Sequence, residues 1–145
     1  MTEALSGLAL GLEVAFRLNN IGYCFIGALL GTFVGVLPGI GPLATIAVLL
    51  PLTFTLDPVG AVIMLAGVYY GAQYGGSTTA ILCNLPGESS SVMTALDGYQ
   101  MARAGRAGAA LAIAAIGSFI AGCFATVVIA LAAKPMSLLA LKFGA

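Results

Sequence analysis

The sequence has no histidine and no tryptophan, and only 7% of its 145 residues are charged. A soluble domain carries roughly 25% charged residues, whereas 61% of these residues are hydrophobic and the mean hydropathy is +1.12. Five acidic and five basic residues give a net charge of zero, which argues against nucleic acid as a partner because such binding needs a basic face. The composition therefore indicates a protein of the lipid bilayer.

The three cysteines, Cys24, Cys83 and Cys123, lie far apart within apolar segments. With this spacing and no histidine, neither a zinc site nor a disulfide framework has the residues that it needs. We interpret the cysteines as small buried hydrophobic residues, and we expect neither a resident metal nor a cofactor. The N-terminus carries Glu3 and no basic region, which disfavours a cleaved signal peptide.

The positions of the charges divide the chain into segments. Leu18 to Leu56 is one uncharged run, too long for a single helical crossing of about 20 residues. We therefore predict an all-α, polytopic membrane protein that forms one transmembrane domain over residues 1–145. Its predicted parts are an interfacial helix over 1–17, crossings over 18–37, 59–80 and 107–133, a broken segment over 38–56 that is re-entrant or half-length, and a polar loop over 88–106.

Apolar residues near the N-terminus recur at helical spacing. Leu8, Leu12 and Phe16 lie opposite the charged residues Glu13 and Arg17 on a helix, a pattern that predicts an amphipathic helix lying in the membrane interface. A cytosolic helix packed on another domain would show the same pattern.

The orientation in the membrane rests on few basic residues. Two arginines predict that the polar loop 88–106 is cytoplasmic. With Arg17 on the same side, residues 43–56 have to turn back rather than span. Within the loop, Asp97 is a predicted helix N-cap and Gly105 a predicted residue just past a helix end.

Glycines spaced by four form two strips, and Leu-Pro-Gly follows each strip, at residues 37–39 and 85–87. We interpret the strips as surfaces for close helix packing, since small residues at this spacing let transmembrane backbones approach. The strips consist of Gly27, Gly31 and Gly35, and of Gly67, Gly71 and Gly75.

The two Leu-Pro-Gly breaks predict a binding site. Backbone groups freed in a membrane cost several kcal/mol each, about as much as a lost hydrogen bond in hydrocarbon, so paired interruptions point to the binding site of a transporter. Pro42 after Gly41 reads as a helix start, and we expect its positive end and the free amides of Gly39, Ile40 and Gly41 to suit an anion. Glu88 and Asp97 are the carboxylates best placed to sense a cation. A proline kink without function and simple solvation of the loop are the alternatives.

Polar side chains near the second break extend the candidate site, although their hydroxyls can equally bond back onto their own helix. The candidate binding residues are Gly35, Pro38, Gly39, Ile40, Gly41, Pro42, Gly75, Gly76, Ser77, Thr78, Thr79, Asn84, Pro86, Gly87 and Glu88.

Two long stretches carry a resemblance to a known family: GTFVGVLPGIGPLATIAVLLPLTF and YGGSTTAILCNLPGESSSVMTALDGYQMARAGRAGAALAIAAIGSFIAG. They resemble the large permease subunit, the TctA family, of the tripartite tricarboxylate transporters. The resemblance runs from about Leu18 to Phe143 and covers only the N-terminal part of such a permease, so we expect the chain to be a fragment.

The resemblance implies a multi-pass protein of a prokaryotic inner membrane that takes up citrate or related carboxylates. It implies a sodium or proton gradient as the driving force, with a sodium site in the same loops. It also implies two partners, a small membrane subunit and an extracytoplasmic solute-binding protein.

Two other classes compete with this prediction. A membrane-embedded serine hydrolase would use Ser77, but the chain has no histidine base and only Lys134 or Lys142 as a substitute. A non-transporting scaffold, whose glycine strips dock the helices of partner proteins, is the stronger competitor.

Overall fold

The computed structural model describes residues 2–143, with the side chains of residues 6–133 and of Met136. Every regular element in residues 2–143 is helical, which confirms the all-α class. The elements are α1 (Thr2–Ala15), α2 (Leu18–Gly35), α3 (Pro42–Leu49), a 3₁₀-helix (Leu50–Thr55), α4 (Pro58–Cys83), α5 (Ser91–Met101), a π-helical segment (Ala102–Arg106) and α6 (Ala107–Phe143).

Short-range sequence signals set several helix ends. Helix α3 begins at Pro42, with Gly41 as an extended N-cap at φ −70°, as predicted. Asp57 caps α4, because its carboxylate accepts a hydrogen bond of 2.9 Å from the backbone N–H of Gly60. Asn84 ends α4 in the left-handed region at φ 58°.

The core of the fold is the packing of α2 against α4 through the two glycine strips. All six strip glycines are buried, and a Cβ added at any of them would collide with the backbone of the facing helix. The strips therefore serve close helix packing, as predicted. The contacting pairs are Gly27 with Met64, Gly31 with Val68, Gly35 with Ala72, Gly67 with Cys24, Gly71 with Ala28, and Gly75 with Thr32.

Residue numbers rise together along these pairs, so α2 and α4 run parallel. Arg17 and Asp57, which precede the two helices, accordingly line one cavity. The chain between the helices has to return along the pair. Helix α3 and the 3₁₀-helix are long enough to do so, since their combined length is about 24 Å and the length of α2 is about 27 Å.

We expected residues 43–56 to turn back without spanning, so that Arg17 and the loop 88–106 lie on the same side of the membrane. The parallel packing of α2 and α4 shows that this expectation is wrong. Arg17 lies at the N-terminal end of the pair, and the loop follows its C-terminal end. The physical reason is that α3 and the 3₁₀-helix are long enough together to carry the chain back along the pair, whereas a single arginine near a helix end is weak evidence for orientation.

In the described part of the chain, two helices are long and apolar enough to cross a membrane, Leu18–Gly35 and one within Ser91–Ala133. Helix α4 is not one of them, because its second half is rich in glycine, tyrosine and hydroxyl residues. The number of crossings thus stays a prediction. Helix α6 continues from Ala107 to Phe143, so the segment predicted to end at residue 133 is the first part of a longer helix.

The predicted polar loop contains helix α5. Asp97 is not an N-cap: it lies inside α5 and is exposed. Gly105 has φ 77°, the left-handed conformation expected just past a helix end, and there the chain kinks into α6. Helix α6 packs along α4, where Gly122 lies beside the ring of Tyr70. The three cysteines are free and exposed, contrary to our interpretation of them as buried.

Candidate functional site

The first break, residues 36–41, forms a tight turn at the end of α2. The backbone N–H of Ile40 donates to the carbonyl of Leu37 at 3.2 Å, and Gly39 has φ +84°. Pro38 followed by a left-handed glycine is the sequence of a type II turn. The amide of Ile40 is thus used by the turn, and our expectation that it is free for a ligand is wrong.

The second break, residues 84–90, uses the same Leu-Pro-Gly tripeptide for another purpose. Gly87 is buried, and a Cβ at this position would lie 3.2 Å from the Cα of Gly76. The same Cβ would lie 3.9 Å from the carbonyl oxygen of Gly35. Gly87 is therefore required for a close approach of backbones, not for a turn.

The two breaks meet. Gly87 of the second break packs between Gly76 and Gly35, and a Cβ at Gly41 of the first break would lie 4.0 Å from the Cβ of Glu88. We call these five residues the break cluster. It brings together the C-terminal end of α2, the N-terminal end of α3 and the segment that follows α4.

Glu88 is the acidic residue of the break cluster. Its side chain is partly buried, and its Oε1 atom is fully buried without a hydrogen-bond partner among the described residues. The backbone of Glu88 is held by Ser91, whose hydroxyl donates to the Glu88 carbonyl at 2.9 Å and accepts from the Glu88 N–H at 3.2 Å. The carboxylate thus projects from a backbone that is fixed at the start of α5.

The predicted site did not include Ser91, which is only 2% exposed and whose hydroxyl holds the backbone of Glu88 in place. A usable signal was present in the sequence, since a serine three residues after a polar residue at a helix start commonly bonds the backbone there. Thr45 has a similar supporting position: it is fully buried, and its hydroxyl donates to the carbonyl of Gly41 at 3.1 Å.

The predicted hydroxyl residues of α4 bond back onto their own helix. Ser77 donates to the Gln73 carbonyl at 3.1 Å, and Thr78 to the Tyr74 carbonyl at 2.9 Å. Thr79, which is buried, donates to the carbonyl of Gly75 at 3.0 Å. Each hydroxyl oxygen keeps acceptor capacity for a proton donor or a cation.

The remaining predicted residues surround the break cluster. The buried ones are Pro42 and Gly75, the latter packed on Thr32 and Gly35 of α2. Ile40 is half-buried. The exposed ones, which lie on the outer side of the breaks, are Pro38, Gly39, Asn84 and Pro86.

Charge at the break cluster comes from Glu88 and from helix ends. The C-terminal ends of α2 and α4 present carbonyl oxygens and partial negative charge, whereas the N-terminal end of α3 presents amides and partial positive charge. Within the described residues, no three His, Cys, Asp or Glu side chains group as a metal site. The arrangement thus presents hydrogen-bond donors at the start of α3 and acceptor oxygens at Glu88 and the helix C-termini.

A polar cavity of about 330 Å³, which the sequence did not predict, lies at the other end of the helix pair. Asp57 is already engaged there as the cap of α4, and Asn20 donates to the carbonyl of Val14 at 2.7 Å. The residues that line it are Val14, Arg17, Asn19, Asn20, Asp57 and Val59.

Broken helices that meet beside a partly buried carboxylate point to a membrane transport protein. A model of the tripartite tricarboxylate transporter TctA family matches residues 21–145, and the chain belongs to this family, which confirms the resemblance noted from the sequence.

Over all its 145 residues, the chain is 68% identical to an Agrobacterium vitis protein named "Uncharacterized 52.8 kDa protein in TAR-I ttuC' 3'region". The chain spans 29% of the length of that relative. No solved structure matches the chain significantly.

Proposed function

We propose that the chain is part of the permease of a secondary transporter that takes up citrate or related carboxylates across a prokaryotic inner membrane. A sodium or proton gradient drives uptake, a solute-binding protein delivers the substrate, and a small membrane subunit completes the system. Family membership supports the transporter class. The observation that carries the proposal is the meeting of the two breaks at Gly41 and Glu88.

The break cluster has the polarity that co-transport of an anion and a cation requires. The amides of Gly39 and Gly41 precede α3 and have no backbone acceptor in the described chain, so a substrate carboxylate can accept from them at the positive end of the helix. Glu88 and the carbonyl ends of α2 and α4 favour a cation beside it. Opposite charges bound at adjacent places stabilise each other.

The test is to fill the contact between the breaks. Gly41 has φ −70°, which valine adopts without strain, but its Cβ faces Glu88. We expect Gly41→Val to abolish gradient-driven uptake of labelled citrate in vesicles that contain the protein with both partner subunits. The matched control is Gly22→Val on α2, where no atom lies within 4 Å of an added Cβ. Normal uptake by Gly41→Val, at an equal amount in the membrane, would reject the proposal.

The scaffold alternative loses its main support in this structure. It requires glycine strips that are free to dock partner helices, yet all six glycines are covered by the facing helix of the same chain. Exposed Cys83 beside the second break allows a direct comparison. Protection of Cys83 from a thiol reagent by a carboxylate supports transport, and indifference to each carboxylate tested supports a scaffold.

The hydrolase alternative has no support from the geometry of Ser77. Its hydroxyl donates to the carbonyl of Gln73 on its own helix, and the chain has no histidine to activate it. The side chains of Lys134 and Lys142 lie outside the described residues.

A further inference from the structure

The exposed face of α4 changes character half-way along the helix. From Tyr69 to Thr78, every residue that is not buried carries a polar side chain, and the four buried residues among them are glycine or alanine. Towards the N-terminus the same face is apolar, with Val59, Val62 and Ala66. We call the six polar residues the polar face: Tyr69, Tyr70, Gln73, Tyr74, Ser77 and Thr78.

The polar face lies level with an apolar part of α2. Gly75 of α4 packs on Thr32 of α2, and Gly35 of α2 packs on Ala72 of α4. At this level α2, which is long and apolar enough to cross a membrane, presents Phe33 with 74% of its surface exposed. Polar side chains at membrane depth face water or the protein interior. Helix α2 therefore suits contact with lipid at this depth, and the polar face does not.

The polar face offers hydrogen-bond donors without a charge. The side-chain amide of Gln73 donates to the hydroxyl oxygen of Tyr69 at 3.0 Å, which leaves the O–H of Tyr69 free to donate. Within the described chain, the hydroxyls of Tyr70 and Tyr74 have no hydrogen-bond partner. Residues 58–87 carry no charged side chain. Three phenol groups can thus donate to a carboxylate and release it again, because no fixed cation holds it.

A neighbouring helix bonded to the polar face is the alternative occupant. Helix interfaces in membranes are rich in small residues, as the two glycine strips are, whereas this face carries three tyrosines and a glutamine. Ser77 and Thr78 already donate to carbonyls of their own helix, so they need no acceptor on a second helix. Bulky side chains whose hydroxyls bond locally favour a water-filled space over a packed interface.

The polar face ends at the break cluster. Ser77 and Thr78 directly follow Gly76, which packs against Gly87, and from there the face extends about 14 Å along α4. We propose that the polar face lines a water-filled path by which the carboxylate substrate reaches the break cluster, with its three tyrosine hydroxyls as donors to the substrate. The inference rests on the proposed function and adds to it the residues that line the route.

The first test compares two cysteines at the same depth. In permeabilised native membranes that contain the full-length permease and its partners, a protein whose three native cysteines are replaced by serine receives Tyr74→Cys or Phe33→Cys. Both variants are checked for equal amounts and labelled with an anionic, water-soluble thiol reagent. Phe33 is 74% exposed and Tyr74 is 36% exposed, so exposure alone favours labelling at Phe33. We expect Tyr74→Cys to react about tenfold faster or more, because the reactive thiolate and the reagent are charged and hydrocarbon excludes charge.

The second test removes the donors and keeps the rings. Tyr70→Phe and Tyr74→Phe lose only the O–H, so each should raise the half-saturating concentration of citrate for uptake about tenfold, the loss expected for a hydrogen bond to a charged group. The maximal rate should stay unchanged, since the lost bond serves binding. The matched control is Tyr23→Phe on α2, whose ring lies beside Gly60 at the other end of the helix pair and which should leave uptake unchanged.

Labelling of Tyr74→Cys that is no faster than that of Phe33→Cys would overturn the inference in favour of a covering helix. An unchanged half-saturating concentration in both phenylalanine variants would overturn it as well. Failure of the proposed function gives a different result: fast labelling of Tyr74→Cys that citrate does not slow, without uptake of any carboxylate tested, would refute transport and leave the water-filled path. Uptake that depends on Gly41, together with slow labelling of Tyr74→Cys, would refute only the path.

Discussion

Replacing Gly31 by alanine is expected to destabilise the packing of α2 on α4. An added Cβ would meet the carbonyl oxygen of Val68 and would lie 2.8 Å from the C and Cα atoms of that residue. These are backbone atoms, which cannot rotate away as the end of a side chain can. The two helices therefore have to separate.

The size of the effect follows from these distances. Ordinary contacts of a Cβ begin at 3.4 Å, so the backbones have to part by more than half an ångström. A gap of about 0.5–1 Å forfeits a quarter to a half of each dispersion contact along the strip, and overpacking of this kind costs about 1–3 kcal/mol. Alanine also favours the helix over glycine by about 1 kcal/mol, which offsets part of the loss.

The matched control is Gly22→Ala on the same helix, where no atom lies within 4 Å of the added Cβ. Both variants gain the same helix propensity, so their difference isolates the collision. The assay is unfolding of the purified protein in detergent, followed by circular dichroism, with an expected difference of about 1–3 kcal/mol, or 5- to 150-fold in the equilibrium constant. Equal stability of the two variants would refute the packing described here.

Three further predictions follow from single positions. Gly39→Ala should destabilise the first break by about 1–2 kcal/mol because its φ of +84° is left-handed, whereas Gly41→Ala at φ −70° should unfold like wild type. Asp57→Ala should cost about 1 kcal/mol through loss of the α4 cap, and Asp57→Asn should restore most of it. With the loop 88–106 in the cytoplasm and α2 parallel to α4, an impermeant thiol reagent in intact cells should label Asn19→Cys but reach Gln100→Cys only after lysis; labelling of both from one side would contradict this arrangement.

The glycine strips were predictable from sequence because their signal is local. A spacing of four puts small residues on one face of a helix, whatever that face packs against. The direction of packing was not predictable in this way. A strip on α2 buries the same glycines against a parallel or an antiparallel partner. The direction of α4 relative to α2 therefore depends on the connection through α3 and the 3₁₀-helix.

The two Leu-Pro-Gly breaks mark a second limit of sequence reasoning. Pro38 and Gly39 make the turn that their residue types favour. The identical tripeptide that ends at Gly87 serves a close contact with Gly76 instead. Local sequence predicts that the helix stops in both cases, but only the neighbouring helices decide what the freed backbone does.

The corrected direction of α2 and α4 bears directly on the candidate site. Each break follows the C-terminal end of its helix. Had the helices run antiparallel, as the shared side of Arg17 and the loop 88–106 required, the breaks would lie at opposite ends, about 27 Å apart for a helix as long as α2. Parallel packing places Gly41 beside Glu88, where an added Cβ on Gly41 would lie 4.0 Å from the Cβ of Glu88. The joint site and the expected orientation were therefore incompatible from the start, and the parallel packing of the glycine strips that overturns the orientation also places the two breaks at the same end of the helix pair.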